Sequence, residues 1–297
     1  MEITKNAMIS VVGRPNVGKS TLTNRLVGAK VAIVSAKPQT TRTRITGVLN
    51  RDGCQYVFLD TPGLHKPRSR LGDYMVQVIT ETVSEVDAAA LVVEPIANVG
   101  AAEESLIRQI QAAKLPSVLV INKIDTVPKE DLLAVIACYS QAHEFDAIVP
   151  VSARTGEGTD ELLAELERFA LEGPQLFPED MISDQPERQL IAEIIREKML
   201  ILLQREVPHG TAVGIERMEE REDGLVKIHA TIYCEKNSHK GIIIGKNGEM
   251  LKKIGQMARQ DIERLLDAKV YLNLWIKVKE DWRNNQYQMR NFGYGEE

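Results

Sequence analysis

The sequence predicts an α/β protein in two parts: a mostly parallel sheet with helices on both faces and one antiparallel edge strand, then a smaller α+β domain. Three observations predict it. Strand-like and helix-like patterns alternate from residue 7 to about residue 171. Residues 171–188, LEGPQLFPEDMISDQPER, carry Pro174, Pro178 and Pro186 and follow neither period. Beyond them the pattern is a helix, two strands of which the second alternates, a Gly-x-x-Gly turn opening a helix, and a last strand.

Composition sets the outer bounds. A chain of 297 residues is long enough for two domains, and 43% hydrophobic with 27% charged residues is the balance of a globular protein. No apolar run reaches the roughly 20 residues of a membrane span. The opening MEITKNAM lacks a charged-then-apolar signal, so a cytoplasmic location is expected. Cys54, Cys138 and Cys234 are distant and odd in number, which predicts buried thiols rather than disulfides. The five histidines show no metal-ligand spacing. A net charge of −5 gives no overall cationic field, yet Lys236, Lys240, Lys246, Lys252 and Lys253 share one window with a single acid, Glu249.

In chain order, an apolar strand from Ala7 runs into Gly13-Arg14-Pro15-Asn16-Val17-Gly18-Lys19-Ser20, and a helix follows from Thr21 to Val27. G-x-x-x-x-G-K-S between a strand and a helix is a triphosphate cradle. The glycines clear Cβ atoms from the loop, and backbone N–H groups then point at the phosphates. Lys19 supplies a cation for the β- and γ-phosphates, and the Ser20 hydroxyl can ligate Mg²⁺. After Lys30–Ser35, the polar stretch Ala36–Thr43 reads as a loop. Ile45–Leu49 and Gln55–Leu59 form a hairpin around Arg51-Asp52-Gly53. A helix near Leu71–Val86, strand Ala89–Val93, helix Glu103–Lys114, strand Ser117–Ile121, helix Lys129–Tyr139, strand Ala147–Val151 and helix Asp160–Leu171 complete the domain.

Each further motif follows a strand end, where ligands of such sheets bind. Asp60-Thr61-Pro62-Gly63 places a carboxylate near Mg²⁺ and a Gly63 N–H where only a γ-phosphate would meet it. In Asn122-Lys123-Ile124-Asp125, the Asp125 carboxylate can accept from guanine N1–H and N2, a donor pair that adenine lacks. Lys123 packs its stem over the purine, Asn122 braces the loop, and a backbone N–H at Ser152-Ala153 can reach guanine O6.

These loops in this order resemble the GTPase domain of the translation-factor-like class of P-loop proteins over residues 5–172. GRPNVGKS with QTTR and DTPGL is similar to its Era, Der and MnmE group. The resemblance implies GTP and GDP as ligands, with Thr40 or Thr41, Thr41 preferred, joining Ser20 and Asp60 around Mg²⁺. Catalysis would rest on Lys19, Thr41, Gly63 and Asn16. Leu64 stands where Ras-type proteins carry the glutamine that orients water, so hydrolysis needs other means. By the resemblance, Asn16 is a candidate for those means, holding a monovalent cation such as K⁺ in the place of an arginine finger, while the residue that orients the water stays open.

In the second part, Pro186 opens an amphipathic helix, Glu187–Gln204. Strands Thr211–Met218 and Leu225–Glu235 follow, then Lys240–Ile244, Gly245-Lys246-Asn247-Gly248, helix Glu249–Leu266 and strand Lys269–Val278. The glycines allow close backbone approach, and helix N–H groups with Lys246 can clamp a single-stranded phosphate backbone. Ile242–Ile244 with strand Leu225–Glu235 would floor the bases. The tail with Trp282, Tyr287, Phe292 and Tyr294 is expected to dock on this domain, in preference to stacking on RNA.

GIIIGKNGEMLKKI closely resembles the signature of a KH domain, and Lys240–Ile244 as a short helix would give the type II arrangement. The RNA contacts would then be Lys240, Gly241, Ile242, Ile244, Gly245, Lys246, Asn247, Gly248 and Lys252. A P-loop GTPase (1–172), a linker (173–186) and a type II KH domain with tail (187–297) make the architecture of the Era family. That resemblance implies a slow regulatory GTPase that binds small-subunit ribosomal RNA near its 3′ end and acts in assembly of the small ribosomal subunit. No DNA partner and a monomer are expected. Peripheral contact with the inner face of the cell membrane, and an RNA scaffold with nucleotide as a structural ligand, stand as the alternatives.

Overall fold

The computed structural model describes residues 3–295. The chain divides into two compact units. The first takes the chain up to Val34, then Thr41–Pro67 and Met75–Asp184; the second takes Ser35–Thr40, Arg68–Tyr74 and the chain from Gln185 onward.

In chain order the elements of the first part are β1 (Lys5–Val12), α1 (Lys19–Val27), β2 (Ile45–Arg51), β3 (Cys54–Asp60), α2 (Arg70–Ser84), β4 (Ala88–Val93), α3 (Ala101–Ala113), β5 (Ser117–Ile121), α4 (Asp131–Ala142), β6 (Ala147–Pro150), α5 (Thr159–Glu167) and β7 (Leu171–Glu172). The sheet runs β2-β3-β1-β4-β5-β6, with β7 pairing the start of β1. All neighbours from β3 to β6 are parallel, and β2 is the antiparallel edge strand. β4, AAALVV, and β5, SVLVI, are buried at every position, as strands covered on both faces must be. Ile9, Val11, Ala90 and Val118 pack with Leu22 of α1 and Leu162 of α5. Alternate residues Val12, Leu91 and Leu119 pack with Ile79, Leu106 and Val135 from α2, α3 and α4.

Lys30–Ser35 forms no strand. One side chain holds the backbone at its centre: Asn24 Oδ1 accepts from the N–H of Val31 and of Ala32, and Asn24 Nδ2 donates to the Ala32 carbonyl at 2.8 Å. Of the three cysteines, Cys54 and Cys234 are buried and Cys138 is half-buried, all as free thiols.

The proline-bearing stretch is fixed along the edge of the sheet over much of its length. Gln55 is fully buried; its carbonyl accepts from the N–H of Leu176 and of Phe177, and its amide donates to the Phe177 carbonyl and to Asn50. The free N–H of Val48 on edge strand β2 donates to Ile182 at 2.9 Å. Thr46 donates to Asp184, and Asn50 to the Glu179 carbonyl. Gln55→Leu keeps the volume and removes four hydrogen bonds, so chemical denaturation should show a loss of about 1–3 kcal/mol. An unchanged midpoint would mean that the stretch is only loosely held.

The second unit contains α6 (Glu187–Leu202), β8 (Thr211–Glu220), β9 (Val226–Cys234), α7 (Asn237–Ile244), α8 (Glu249–Leu266), β10 (Val270–Val278) and α9 (Gln286–Asn291). β9 is central, antiparallel to β8 and parallel to β10. Helix, strand, strand, helix, helix, strand is the order that the type II resemblance implied. The helices bury one face of the sheet through Ile195, Ile228, Ile232, Ile243, Ile254 and Ile262. The tail docks, as expected: Trp282 is fully buried with its Nε1 donating to Gly210, and Phe292 packs against both Trp282 and Tyr233. Tyr287 alone of the tail aromatics stands well exposed. Arg196 of α6 is fully buried, its guanidinium shared between Glu193 and the carbonyls of Gln39 and Thr40.

Candidate functional site

Because β1, β3, β4, β5 and β6 run the same way, their C-terminal ends bring residues 13–20, 60–64, 94, 122–125 and 152–153 to one edge. Gly18 turns the first loop into α1 at φ 100°, and a Cβ there would fall 2.3 Å from Asn122 Nδ2. Only glycine meets both conditions. Asn122 then donates to the Val17 carbonyl at 2.8 Å and accepts from the Ala153 N–H at 3.0 Å, tying three loops together.

Lys19 is buried and its Nζ donates to the carbonyls of Gly13 and Arg14 at 3.1 and 3.0 Å. Burial pulls its pKa down to about 8, against the attraction of Asp60. An ammonium under that strain gains from an incoming anion. Arg14 turns outward instead: it pairs with buried Glu103 and lies 3.6 Å from Glu94. It braces the cradle from behind. Asn16 is exposed with φ 69°, and its carbonyl accepts from Lys123 at 2.7 Å.

Three oxygen groups converge beside Lys19. Ser20 Oγ donates to Asp60 Oδ2 at 2.6 Å, lies 2.8 Å from Thr41 Oγ1, and Thr41 Oγ1 is 3.5 Å from the same carboxylate oxygen. Thr40 turns away and donates to the Lys37 carbonyl. Asp60 is fully buried, and its Oδ1 has no hydrogen-bond partner. Burial pushes its pKa up to about 6, while Lys19 and the two hydroxyls pull it back. Two hydroxyls and an orphaned carboxylate oxygen fit a hard divalent cation such as Mg²⁺, whose charge would satisfy that oxygen and keep Asp60 ionised. Thr61 donates to Val11, and Gly63 lies against Pro15. The Leu64 N–H donates to Gly13 while its side chain packs into the core with Ile79 and Val83. The glutamine position of Ras-type proteins is here a hydrophobic anchor.

At the far end, Ser152 Oγ donates to Asp125 Oδ1 at 2.6 Å, and Arg154 pairs with Oδ2 at 2.6 Å. The Ser152 hydrogen bond, aided by Arg154, holds the Asp125 carboxyl below its usual range. Ile124 is buried beneath it. Lys123 stretches to Glu94 at 2.6 Å as well as to Asn16. Sequence reasoning missed Glu94, Glu103, and Arg25, which holds the carbonyls of Ala153 and Arg154. Lone charges on loops carry no pattern that would have found them.

In the second unit, Gly245 has φ 73°, and a Cβ there would lie 2.6 Å from Met250 Cβ. The turn therefore folds tightly onto α8 and leaves Lys246 and Asn247 exposed, beside exposed Gly241, Ile242 and Lys252 and half-buried Lys240, Ile244 and Gly248. The expected apolar floor is misplaced. β9 is the central strand and Ile243 is core, which leaves only exposed Ile242 and half-buried Ile244 of the expected floor beside the turn. A groove of about 780 Å³ lies instead between α8 and edge strand β10, and Lys252, Gln256, Arg259, Tyr271 and Leu274 help line it. Lys252, Gln256 and Arg259 follow helical spacing on one face, a polar stripe legible in the sequence.

Comparison with known proteins follows the same division. A family model described as 50S ribosome-binding GTPase matches residues 8–123, and a KH domain model matches residues 206–283. GTPase Era of Ruminiclostridium cellulolyticum is 53% identical over 290 residues, 98% of this chain and 97% of that protein. GTPase Era of Clostridioides difficile is 51% identical over 294 residues, covering 98% and 99%. Among solved structures, Era in complex with MgGDPNP and nucleotides 1506–1542 of 16S ribosomal RNA is 40% identical with a TM-score of 0.95, covering 99% of this chain and 100% of that one. A tyrosine-to-alanine variant of Aquifex aeolicus Era bound to GDP·AlF4⁻ matches with the same identity and TM-score over 98% and 100%.

Proposed function

The chain belongs to the Era family of GTPases, and on that premise we propose that it is a nucleotide-controlled factor acting in assembly of the small ribosomal subunit. It hydrolyses GTP to GDP with Mg²⁺ as cofactor, and it carries a KH domain. In our reading its RNA is an unpaired stretch near the 3′ end of small-subunit ribosomal RNA, as the bound 16S nucleotides of the solved relative suggest. We divide the work as 1–172 for nucleotide, 173–186 as connection and 187–297 for RNA.

One observation carries the enzymatic half: the hydroxyls of Ser20 and Thr41 meeting at Asp60, whose second oxygen is buried without a partner. These three residues would hold Mg²⁺, which would neutralise charge on the phosphate oxygens when bound. Lys19 neutralises the same oxygens, and the Gly63 N–H meets the γ-phosphate. Asp125 and the Ser152–Ala153 turn orient guanine. A γ-phosphate therefore draws the Thr41 and Asp60–Leu64 segments inward, and its loss releases them. In our reading, residues 35–40 and 68–74, which neighbour these segments in the chain and belong to the second unit, carry the nucleotide state to the RNA surface. No helix among the described residues is long and apolar enough to cross a membrane.

Linkage is reciprocal: if GTP strengthens RNA binding, RNA strengthens GTP binding by the same factor. Titrating a transcript of the small-subunit 3′ end at saturating non-hydrolysable GTP analogue, and again at saturating GDP, should give affinities at least about fivefold apart. Lys246→Asp with Asn247→Asp should abolish both. Equal affinities in the two states would leave two uncoupled domains and remove the switch.

A further inference from the structure

β10 is an edge strand, and its residues divide cleanly between two faces. Val270, Leu272, Leu274 and Ile276 turn toward the helices. Tyr271, Asn273, Trp275 and Lys277 turn to the other side, in register with Lys227, His229, Thr231 and Tyr233 of β9. The docked tail covers this outer face at the Tyr233 end, through Phe292. Elsewhere two large aromatic side chains stand in solvent: Tyr271 is 52% exposed and Trp275 is 60% exposed. An exposed tryptophan on a strand costs free energy, and its cross-strand neighbours, Thr231 and then Gly214 on β8, are too small to shelter it. The ring thus borders a flat, shallow platform.

We propose that this outer face is a second RNA surface, on which Trp275 stacks a base of the same strand that the Gly245–Gly248 turn grips. The proposal rests on the RNA-binding reading given above. Continuity argues for this occupant: Tyr271 belongs to the outer face by register and also lines the groove between α8 and β10. A strand leaving the groove over the β10 edge reaches the platform without a gap. Tyr271 and Trp275 lie about 13 Å apart along the strand. Charge on this face is mixed. Lys227 and Lys277 flank the two rings, but Glu216 accepts from the Tyr233 hydroxyl and is held ionised by it and by Lys277, and Glu219, opposite Lys227, pairs with Arg217. Aromatic faces between lysines on an open sheet accept bases of any identity, because every base has a π-face. The groove would then set register, and the platform would add affinity that depends on RNA length.

Trp275 and buried Trp282 are the two tryptophans of the chain, so the part of the fluorescence quenching that is lost in Trp275→Phe reports this site. The full-length protein is titrated with a transcript of the small-subunit 3′ end and with versions trimmed nucleotide by nucleotide to the shortest that binds. Longer transcripts should quench Trp275 and bind at least about fivefold more tightly in the native chain than in Trp275→Ala, with Trp275→Phe restoring most of the difference. The shortest transcript should bind native and variant proteins alike. Identical affinities for every length, with no quenching, would overturn the platform while leaving groove binding in place. If no transcript binds, and Lys246→Asp with Asn247→Asp changes nothing, the RNA reading itself fails and the platform falls with it.

Discussion

Asp125→Asn is expected to lower GTP affinity by about a thousandfold or more and to create binding of xanthosine triphosphate. The carboxylate presents two acceptors to a base edge that offers two donors. An amide presents one acceptor and one donor, so one guanine N–H would face another N–H in a closed pocket. Xanthine carries a carbonyl where guanine carries the amino group, and that carbonyl accepts from the new amide. The surroundings survive the change. Ser152 still has an oxygen to donate to, and Arg154, whose side chain is 75% exposed, gives up a pairing worth little in water. Folding should therefore be untouched. Calorimetry with GDP, XDP and ADP against both proteins checks this. If both guanine and xanthine nucleotides weaken equally in the variant, Asp125 shapes the loop but does not read the base.

How much of this was visible beforehand depends on the range over which each feature is decided. The cradle was legible because its main requirement is local: Gly18 must turn left at φ 100° into α1, a demand set by the loop itself, whereas its clearance from Asn122 shows only in the structure. The alternation of strands and helices was legible for the same reason. Thr40 and Thr41 could not be separated, since both are polar and adjacent, and their directions are set by Lys37 on one side and by Ser20 with Asp60 on the other. Residues 173–184 read only as a linker because their hydrogen-bond partners, Gln55 for Leu176 and Phe177 and then Thr46, Val48 and Asn50, lie more than a hundred residues earlier. An isolated glutamine on a strand announces nothing. The misplaced RNA floor has a third cause. Periodicity found the apolar face of β9 and the span of β10 but did not say which strand lies at the edge, and only an edge strand leaves a groove beside a helix. Strand order is a tertiary property.

Lys19→Met separates what the phosphate cradle costs from what it does. The ammonium is buried, and its pKa falls to about 8 because desolvation outweighs Asp60. Its hydrogen bonds go to two carbonyls, which are neutral acceptors and do not compensate a buried charge in full. Methionine has a similar length, good helix propensity and no charge to desolvate. It leaves two carbonyls short of a donor, and under-satisfied carbonyls are tolerated better than buried N–H groups. The nucleotide-free variant should therefore melt at or a few degrees above the native chain. The opposite is expected once ligand is present. The phosphates then lose the buried ammonium that shares their charge with Mg²⁺, and GTP affinity should fall at least about a hundredfold with hydrolysis undetectable. GDP should suffer less, since the γ-phosphate draws most on that charge. The two measurements move in contrary directions only if Lys19 is a functional strain. A variant that melts well below the native chain would show that the lysine holds the loop together, and the loss of binding would then say nothing about phosphate.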